Sequence, residues 1–304
     1  MKRTPLHDWI AAKCACSPES FNRAALEAYQ LQKLQETLRL AVQKSPFYRR
    51  HLAGINPDLP SLAALTNLPF CSASDIRCEG MQFLCVSQDD IQRVVSLNTS
   101  GTSGEPKRFF FTHADQELTI DFFDVGMSTL TAPGDRVLIL LPGERPGSVG
   151  DLLYKGLQRM SAVPFKHGPV QAPVGTLKRI IDESINVLVG VPVQVLALLR
   201  TYEDMPARPA LALKSILLST DYVPDSVIQA LQNTWNCAVF NHYGMTETGL
   251  GGGVTCEAQQ GYHLREADLY YEIIDPCTGR VLEDGQEGEV VFTTLTRLGM
   301  PLIR

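Results

Sequence analysis

Arg136-Val137-Leu138-Ile139-Leu140-Leu141 is one arginine followed by an unbroken apolar run, short enough for a strand buried on both faces. The segments downstream of it decide the fold. Residues 149–160 carry a helical pattern, and the cycle then repeats: helix over 175–184, strand over 186–190, helix over 193–202, strand over 215–219, helix over 224–235, strand over 237–240. Apolar strands separated by helices of ten or more residues predict an α/β fold with mainly parallel sheets flanked by helices.

Upstream, Ser17-Pro18-Glu19 offers a capping hydroxyl and a proline for the first helical position, and an amphipathic pattern runs over 21–44 until Ser45-Pro46 interrupts it. Pro57, Pro60 and Pro69 mark a loop-rich passage. Downstream of Gly249 the helical patterns stop. Residues 269–275 and 289–295 read as strands joined by Pro276, Gly279 and Gly285, a smaller β unit toward the C-terminus. The expected organisation is a helical region over 1–65, an α/β core over 66–248 and a smaller β subdomain over 249–304.

The chain has 304 residues, 44% hydrophobic and 20% charged, as in a folded protein with a sizeable core. A net charge of −6 argues against nucleic acid or an acidic membrane surface as the main partner. The N-terminus lacks the apolar run of a signal peptide. The apolar stretch over 187–199 is interrupted by Gly190, Pro192 and Gln194 and is too short for a membrane span. A cytoplasmic protein with no membrane partner is expected, its eight cysteines reduced.

Two segments carry chemistry. Thr99-Ser100-Gly101-Thr102-Ser103-Gly104-Glu105-Pro106-Lys107 interleaves hydroxyls with glycines and ends on a lysine, between strand-like residues 93–97 and 108–112. Glycines let backbone N–H groups approach an oxyanion, hydroxyls add donors, and lysine adds a mobile charge, so the loop reads as a phosphate cradle. It does not fit G-x-x-x-x-G-K-[ST], because Lys107 follows Gly104 by three residues and precedes Arg108. The second segment, Asn241-His242-Tyr243-Gly244-Met245-Thr246-Glu247, follows the fourth strand at the carboxyl edge, where open α/β sheets bind ligands. Tyr243 offers a flat face to a base, Thr246 a hydroxyl to a phosphate, and Glu247 a hard oxygen ligand to Mg²⁺.

The paired segments resemble those of the adenylate-forming superfamily of acyl-CoA synthetases, in its phenylacetate–CoA ligase-like branch. Ser45-Pro46-Phe47-Tyr48-Arg49, Leu68-Pro69-Phe70, the run over 288–296 and Met300-Pro301-Leu302-Ile303-Arg304 are similar to that family as well. The resemblance implies a two-step ligation: a carboxylate attacks the α-phosphate of ATP to give an acyl-adenylate and pyrophosphate, then coenzyme A displaces AMP and forms a thioester. By the same resemblance Thr99, Ser100, Gly101, Thr102, Ser103, Gly104 and Lys107 hold phosphates, and Asn241, Tyr243 and Gly244 hold adenine. Thr246 lies near the α-phosphate and Glu247 on Mg²⁺, with Lys107, Thr246 and Glu247 the catalytic set. Asp221 stands near the adenine in a local sequence, Ser219-Thr220-Asp221-Tyr222, that departs from the family pattern.

The family motif continues beyond Ile-Arg into a ribose-binding aspartate, a hinge and a small lid. The resemblance therefore implies a large N-terminal portion without its lid domain, with adenylation impaired. The competing expectation is a catalytically deficient protein that binds a nucleotide or acyl-adenylate.

Cys256 and His263, with Glu266 and either Cys237 or Cys277, have the ligand types for Zn²⁺ at a spacing, C-x₆-H, that is not diagnostic. Phe122, Phe123, His167, Gly249, Gly251, Gly252 and Gly253 are candidate neighbours of the acyl group. The expected partners are ATP, coenzyme A and an aryl or other carboxylic acid; oligomeric state stays open, a homodimer included. A serine hydrolase is disfavoured, since neither Gly101-Thr102-Ser103-Gly104 nor Gly147-Ser148-Val149-Gly150 has the G-x-S-x-G spacing.

Overall fold

The computed structural model describes residues 4–97 and 106–304. In chain order it begins with helices α1 (Pro5–Lys13), α2 (Arg23–Lys44), α3 (Pro46–His51) and α4 (Ala73–Glu79). The hairpin strands β1 (Ile91–Leu97) and β2 (Lys107–Thr112) come next, then helix α5 (His113–Met127). The alternating region comprises β3 (Arg136–Ile139), α6 (Val149–Arg159), β4 (Val163–Lys166), α7 (Pro173–Asp182), β5 (Val187–Gly190), α8 (Pro192–Glu203), β6 (Ser215–Leu218), α9 (Asp225–Trp235) and β7 (Ala238–Tyr243). Four further strands complete it: β8 (Gly253–Val254), β9 (His263–Leu264), β10 (Leu269–Ile274) and β11 (Glu289–Thr294).

The chain divides into two compact units that interleave in sequence. The first holds residues 1–6, 119–245 and 249–264, and the second residues 7–118, 246–248 and 265–304. This division does not follow the consecutive segments 1–65, 66–248 and 249–304.

The first unit is built on a seven-stranded sheet of order β4-β3-β5-β6-β7-β8-β9. The pairs from β4 through β7 are parallel, as the alternation of strands and helices predicts. The short strands β8 and β9 add to β7 in antiparallel fashion. Side chains alternate across the sheet. Leu138, Leu140, Leu188, Ile216 and Leu218 face one way, into a buried cluster with Leu177, Ile180, Val195, Leu198 and Leu231 from helices α7 to α9.

In the second unit β1 and β2 pair antiparallel, with Val94 opposite Phe110, and β10 and β11 form a separate antiparallel pair. Its core stacks Phe47 on Phe83 at 3.9 Å between ring centroids and adds Leu34, Leu38, Tyr48, Phe109 and Met300. The buried Tyr48 hydroxyl donates to the Pro301 carbonyl at 3.2 Å and accepts from the Ile303 amide at 2.9 Å. It thereby ties α3 to residues 301–303.

Helix α2 begins at Arg23, not beside Ser17. The Asn22 side chain accepts from the Ala25 amide at 3.0 Å, whereas the Ser17 carbonyl closes a turn with the amides of Ser20 and Phe21. Residues 241–243, expected after the fourth strand, are its last three positions, because the added strand β8 prolongs the pairing of β7.

Candidate functional site

Helix α5 starts directly after the last residue of β2, and a reciprocal cap explains why. Thr112 Oγ1 accepts from the Asp115 amide at 3.1 Å while Asp115 Oδ2 accepts from the Thr112 amide at 2.9 Å. Asp115 is buried, and its Oδ1 also accepts from the Leu298 amide at 3.0 Å. This fixes the turn over 297–299 in the second unit. Gly299 is obligatory there, since a Cβ would lie 2.5 Å from Asp115 Oδ2 and 2.9 Å from Thr112 Cγ2.

Arg297 leaves that turn into the protein interior. Its Nη1 donates to the Glu247 carbonyl at 3.1 Å, its Nη2 to the Phe110 carbonyl at 3.2 Å, and its guanidinium lies 4.4 Å from the Phe111 ring centroid. Burial pulls the guanidinium down to about 10, against the opposing charges of Asp115 and Glu247, so it is still cationic at neutral pH. Arg297 is a strut: it holds the Glu247 backbone against β2.

Two of the sequence-predicted residues in this unit, Lys107 and Glu247, meet each other. Lys107, at the head of β2, donates from Nζ to Glu247 Oε1 at 2.5 Å, with the side chains only 19% and 14% exposed. Both line a cleft of about 650 Å³ whose walls include Phe70, Thr278, Phe292 and Arg304. Also in the lining, the buried Arg304 pairs with Glu272 at 3.2 Å, donates to the Thr66 and Leu68 carbonyls, and lies over the Phe70 ring. Burial raises the Glu272 carboxyl above its ordinary range, and the Arg304 charge opposes that rise. A cation and a carboxylate at the wall of a roomy cleft suit an anionic, metal-chelated ligand. Glu247 fits Mg²⁺, which takes one or two carboxylates beside substrate phosphates.

Thr99, Ser100, Gly101, Thr102, Ser103 and Gly104 lie outside the described residues. Thr246 shares a turn with Glu247. In the first unit, Asn241 and Tyr243 stand near the end of β7. The Asn241 side chain hydrogen-bonds the Tyr262 hydroxyl, and the Tyr243 and Tyr262 rings lie 5.8 Å apart at 48°. Tyr262 is a neighbour that no motif announces. Asp221 sits exposed on the turn after β6, its carboxylate accepting from the Tyr222 amide at 2.8 Å.

The first unit also contains an apolar cavity of about 30 Å³ behind the carboxyl ends of its strands, between Leu141, Val189 and Leu217 of the sheet and Phe122, Phe123 and Leu153 of α5 and α6. Its lining has two polar side chains, Ser219 and His242, with Ser219 Oγ 2.9 Å from His242 Nδ1. Burial lowers the imidazole to about 4, which leaves it neutral at pH 7. Gly244 makes room for the ring, since a Cβ there would lie 2.7 Å from His242 Cε1. Of the residues expected beside the acyl group, Phe122 and Phe123 line this cavity. His167 does not: its ring nitrogens meet the Gly168 carbonyl and the Thr176 hydroxyl. Gly251 backs the Phe122 ring from outside the cavity, and Gly249, Gly252 and Gly253 do not line it either.

The zinc expectation is corrected. Among the described residues no three of His, Cys, Asp and Glu gather as a metal group. His263 is exposed on β9, Cys256 Sγ accepts from the Ala258 amide at 3.4 Å, and Cys237 is buried with its thiol pushed up to about 11. The ligand types are present, but the strands disperse them. No helix among the described residues is long and apolar enough to cross a membrane.

The family model described as AMP-binding enzyme matches residues 85–295. The chain is 31% identical to a phenylacetate-coenzyme A ligase of Aromatoleum evansii, over 94% of this chain and 66% of the relative. It is 29% identical to that of Thermus thermophilus, over 94% and 65%. It thus spans just under two thirds of the length of these relatives. Among solved structures, an open conformation of a 2-hydroxyisobutyryl-CoA ligase in complex with 2-HIB-AMP and CoA superposes with a TM-score of 0.83 at 23% identity, covering 94% of this chain and 69% of that one. A long-chain-fatty-acid-CoA ligase from Archaeoglobus fulgidus gives 0.57 at 16%, covering 71% and 44%. These two likenesses are of fold.

Proposed function

We propose, proceeding from the fact that this chain belongs to the AMP-binding enzyme family, that it serves an ATP-dependent ligation of a carboxylic acid to coenzyme A. The observation that carries the reading is the Lys107–Glu247 pair, held by Arg297 at the wall of an open cleft. The phenylacetate ligases among its relatives support an aryl acid as substrate.

The acid's carboxylate oxygen attacks the α-phosphorus of ATP, the bond to the β-phosphate oxygen breaks, and pyrophosphate leaves with an acyl-adenylate remaining. The coenzyme A thiol then gives up its proton, its sulfur attacks the acyl carbon, and AMP departs. Little covalent chemistry falls to the protein; its task is to place the reactants and neutralise charge. Lys107 swings from Glu247 to the ATP phosphates as a flexible point charge. Glu247, released from that pair, holds Mg²⁺, which when bound draws charge from the phosphate oxygens. Thr246 donates its hydroxyl toward the α-phosphate. Asn241 and Tyr243 hold the adenine, Asp221 lies at its edge, and residues 99–104 hold the β- and γ-phosphates. The setting is cytoplasmic.

The test is carboxylate-dependent exchange of labelled pyrophosphate into ATP, run beside equilibrium binding of ATP. Exchange that requires an acid supports the ligase. ATP binding with no exchange for any acid supports instead a protein that binds nucleotide or acyl-adenylate without turnover.

A further inference from the structure

Asn241 and Tyr262 lie in one row of the first unit's sheet, with Thr255 between them. The Thr255 amide donates to the Asn241 carbonyl at 2.9 Å, and the Asn241 amide donates to Thr255 Oγ1 at 2.8 Å. Gly253 pairs with Tyr243 on one side and Leu264 on the other, and Val254 with His242 and His263, so the same register sets Tyr262 across from Thr255. Gly253 leaves room for Tyr262 to lean over β8, since a Cβ there would lie 3.1 Å from Tyr262 Cβ. The Tyr262 hydroxyl thereby reaches the Asn241 side chain, and its ring stands 5.8 Å from that of Tyr243.

The direction of that bond decides what Asn241 offers a ligand. Burial pushes the Tyr262 hydroxyl up and the bond to Asn241 pulls it down, as a donor to the phenolic oxygen does. Asn241 therefore gives a proton from Nδ2, and the plane of its amide is fixed. What remains is the acceptor Oδ1 beside the second Nδ2 proton. An asparagine so presented matches adenine, whose N6 donates and whose N7 accepts. A 6-oxo purine has acceptors at both places, so its O6 would face Oδ1 with no proton between them. An amide free to turn would give a proton to O6; the anchored one does not.

We propose that Tyr262 is a positioning residue that sets base selectivity: by holding the Asn241 amide it admits a nucleotide with an amino group at purine position 6 and rejects one with an oxo group there. The inference rests on the reading that Asn241 and Tyr243 hold the base. It is the same whether the protein turns its nucleotide over or only binds it. Tyr262 acts through Asn241, and its ring steadies that of Tyr243 from the side.

The test compares ATP with ITP, which differ in the group at position 6 and the N1 proton it brings, by calorimetry on the whole chain with Mg²⁺ present. ATP binds about tenfold or more tightly, the range for one well-placed amide–base pair. Tyr262→Phe keeps the ring beside Tyr243 and removes only the hydroxyl; the ring is 40% exposed, so the melting temperature stays as it was. In this variant the ATP/ITP ratio falls about threefold or more, whereas a merely structural tyrosine would lower both affinities together. In Asn241→Ala the ratio is near one, and adding Tyr262→Phe changes it no further. Equal binding of ATP and ITP by the native chain, or a ratio that Tyr262→Phe leaves unchanged, overturns the proposal. Failure of both nucleotides to bind overturns the nucleotide reading itself, and this inference with it.

Discussion

Lys107 and Glu247 stand 140 positions apart in the chain and meet at 2.5 Å, each charge the other's partner at the wall of an open cleft. In the proposed ligation this pair opens and each member turns to the ligand. Truncating Lys107 to Met removes the cation proposed to meet the phosphates and the ion-pair partner of Glu247. We expect ATP affinity to fall and acid-dependent pyrophosphate exchange to drop by about 10²–10³. Calorimetry and exchange assays on Lys107→Met check this; undiminished exchange would remove Lys107 from the mechanism.

Arg297 acts on the same pair through the backbone of Glu247. Arg297→Met keeps the stem but loses the donors to two buried carbonyls and the charge facing Asp115. The expected cost is about 3–5 kcal/mol of folding stability, as when one partner is taken from a buried ionic cluster. Urea denaturation measures it, and a loss under about 1 kcal/mol would mean that Arg297 is no strut.

Gly299→Ala drives a methyl against Asp115 Oδ2 and Thr112 Cγ2. The turn must shift, weakening the amide bonds to the Asp115 carboxylate, at about 1–3 kcal/mol. The same denaturation experiment reads it, and a neutral result would show that the turn yields freely.

The depressed His242 value sets a pH dependence. The ring's ordinary value is 6.5 and its folded one about 4, so its contribution to stability is full above 6.5 and lost as pH falls toward 4. Between pH 7 and pH 5 the difference is about 2 kcal/mol. Denaturation of the native chain and of His242→Phe at both pH values isolates it: the native chain loses that increment and the variant does not.

The cysteines divide by environment. Cys71 and Cys85 are pushed up to about 12 by burial, while Cys78 and Cys277 are exposed. Iodoacetamide at pH 8 followed by peptide mass spectrometry should mark Cys78 and Cys277 and spare Cys71 and Cys85. Rapid modification of Cys85 in the native state would contradict the packing of the second unit.

The central sheet was legible because β3, β5 and β6 are buried on both faces and therefore read as plain apolar runs. Strand β4 was not: it is an edge strand, half exposed and carrying Pro164, and nothing in Val163-Pro164-Phe165-Lys166 sets it apart from a loop. Helix α5 comes after β2 without a linker, which hides its start from a search for turns, although Thr112-His113-Ala114-Asp115 carried the capping signal. Lys107 and Glu247 were legible because each closes a dense motif. Arg297 and Asp115 were not, since an isolated Thr-Arg-Leu-Gly gives no sign of burial, and the cluster exists only once distant segments fold together. Ser219 and His242 were in view as letters, but their hydrogen bond depends on neighbouring parallel strands.

The second unit draws on residues 7–118 and 265–304, with 246–248 between. Thr37 donates to the Leu295 carbonyl across 258 positions, and Arg304 to the Thr66 carbonyl across 238. During synthesis, then, residues 7–118 leave the ribosome with part of their core unfilled and wait while residues 119–264 are made. At the usual pace of about 5–20 residues per second this is a delay of many seconds. Over that interval the apolar faces of Phe83 and Phe109 lack Met300 and Leu302, their later neighbours in the core, and so offer a binding surface to a chaperone.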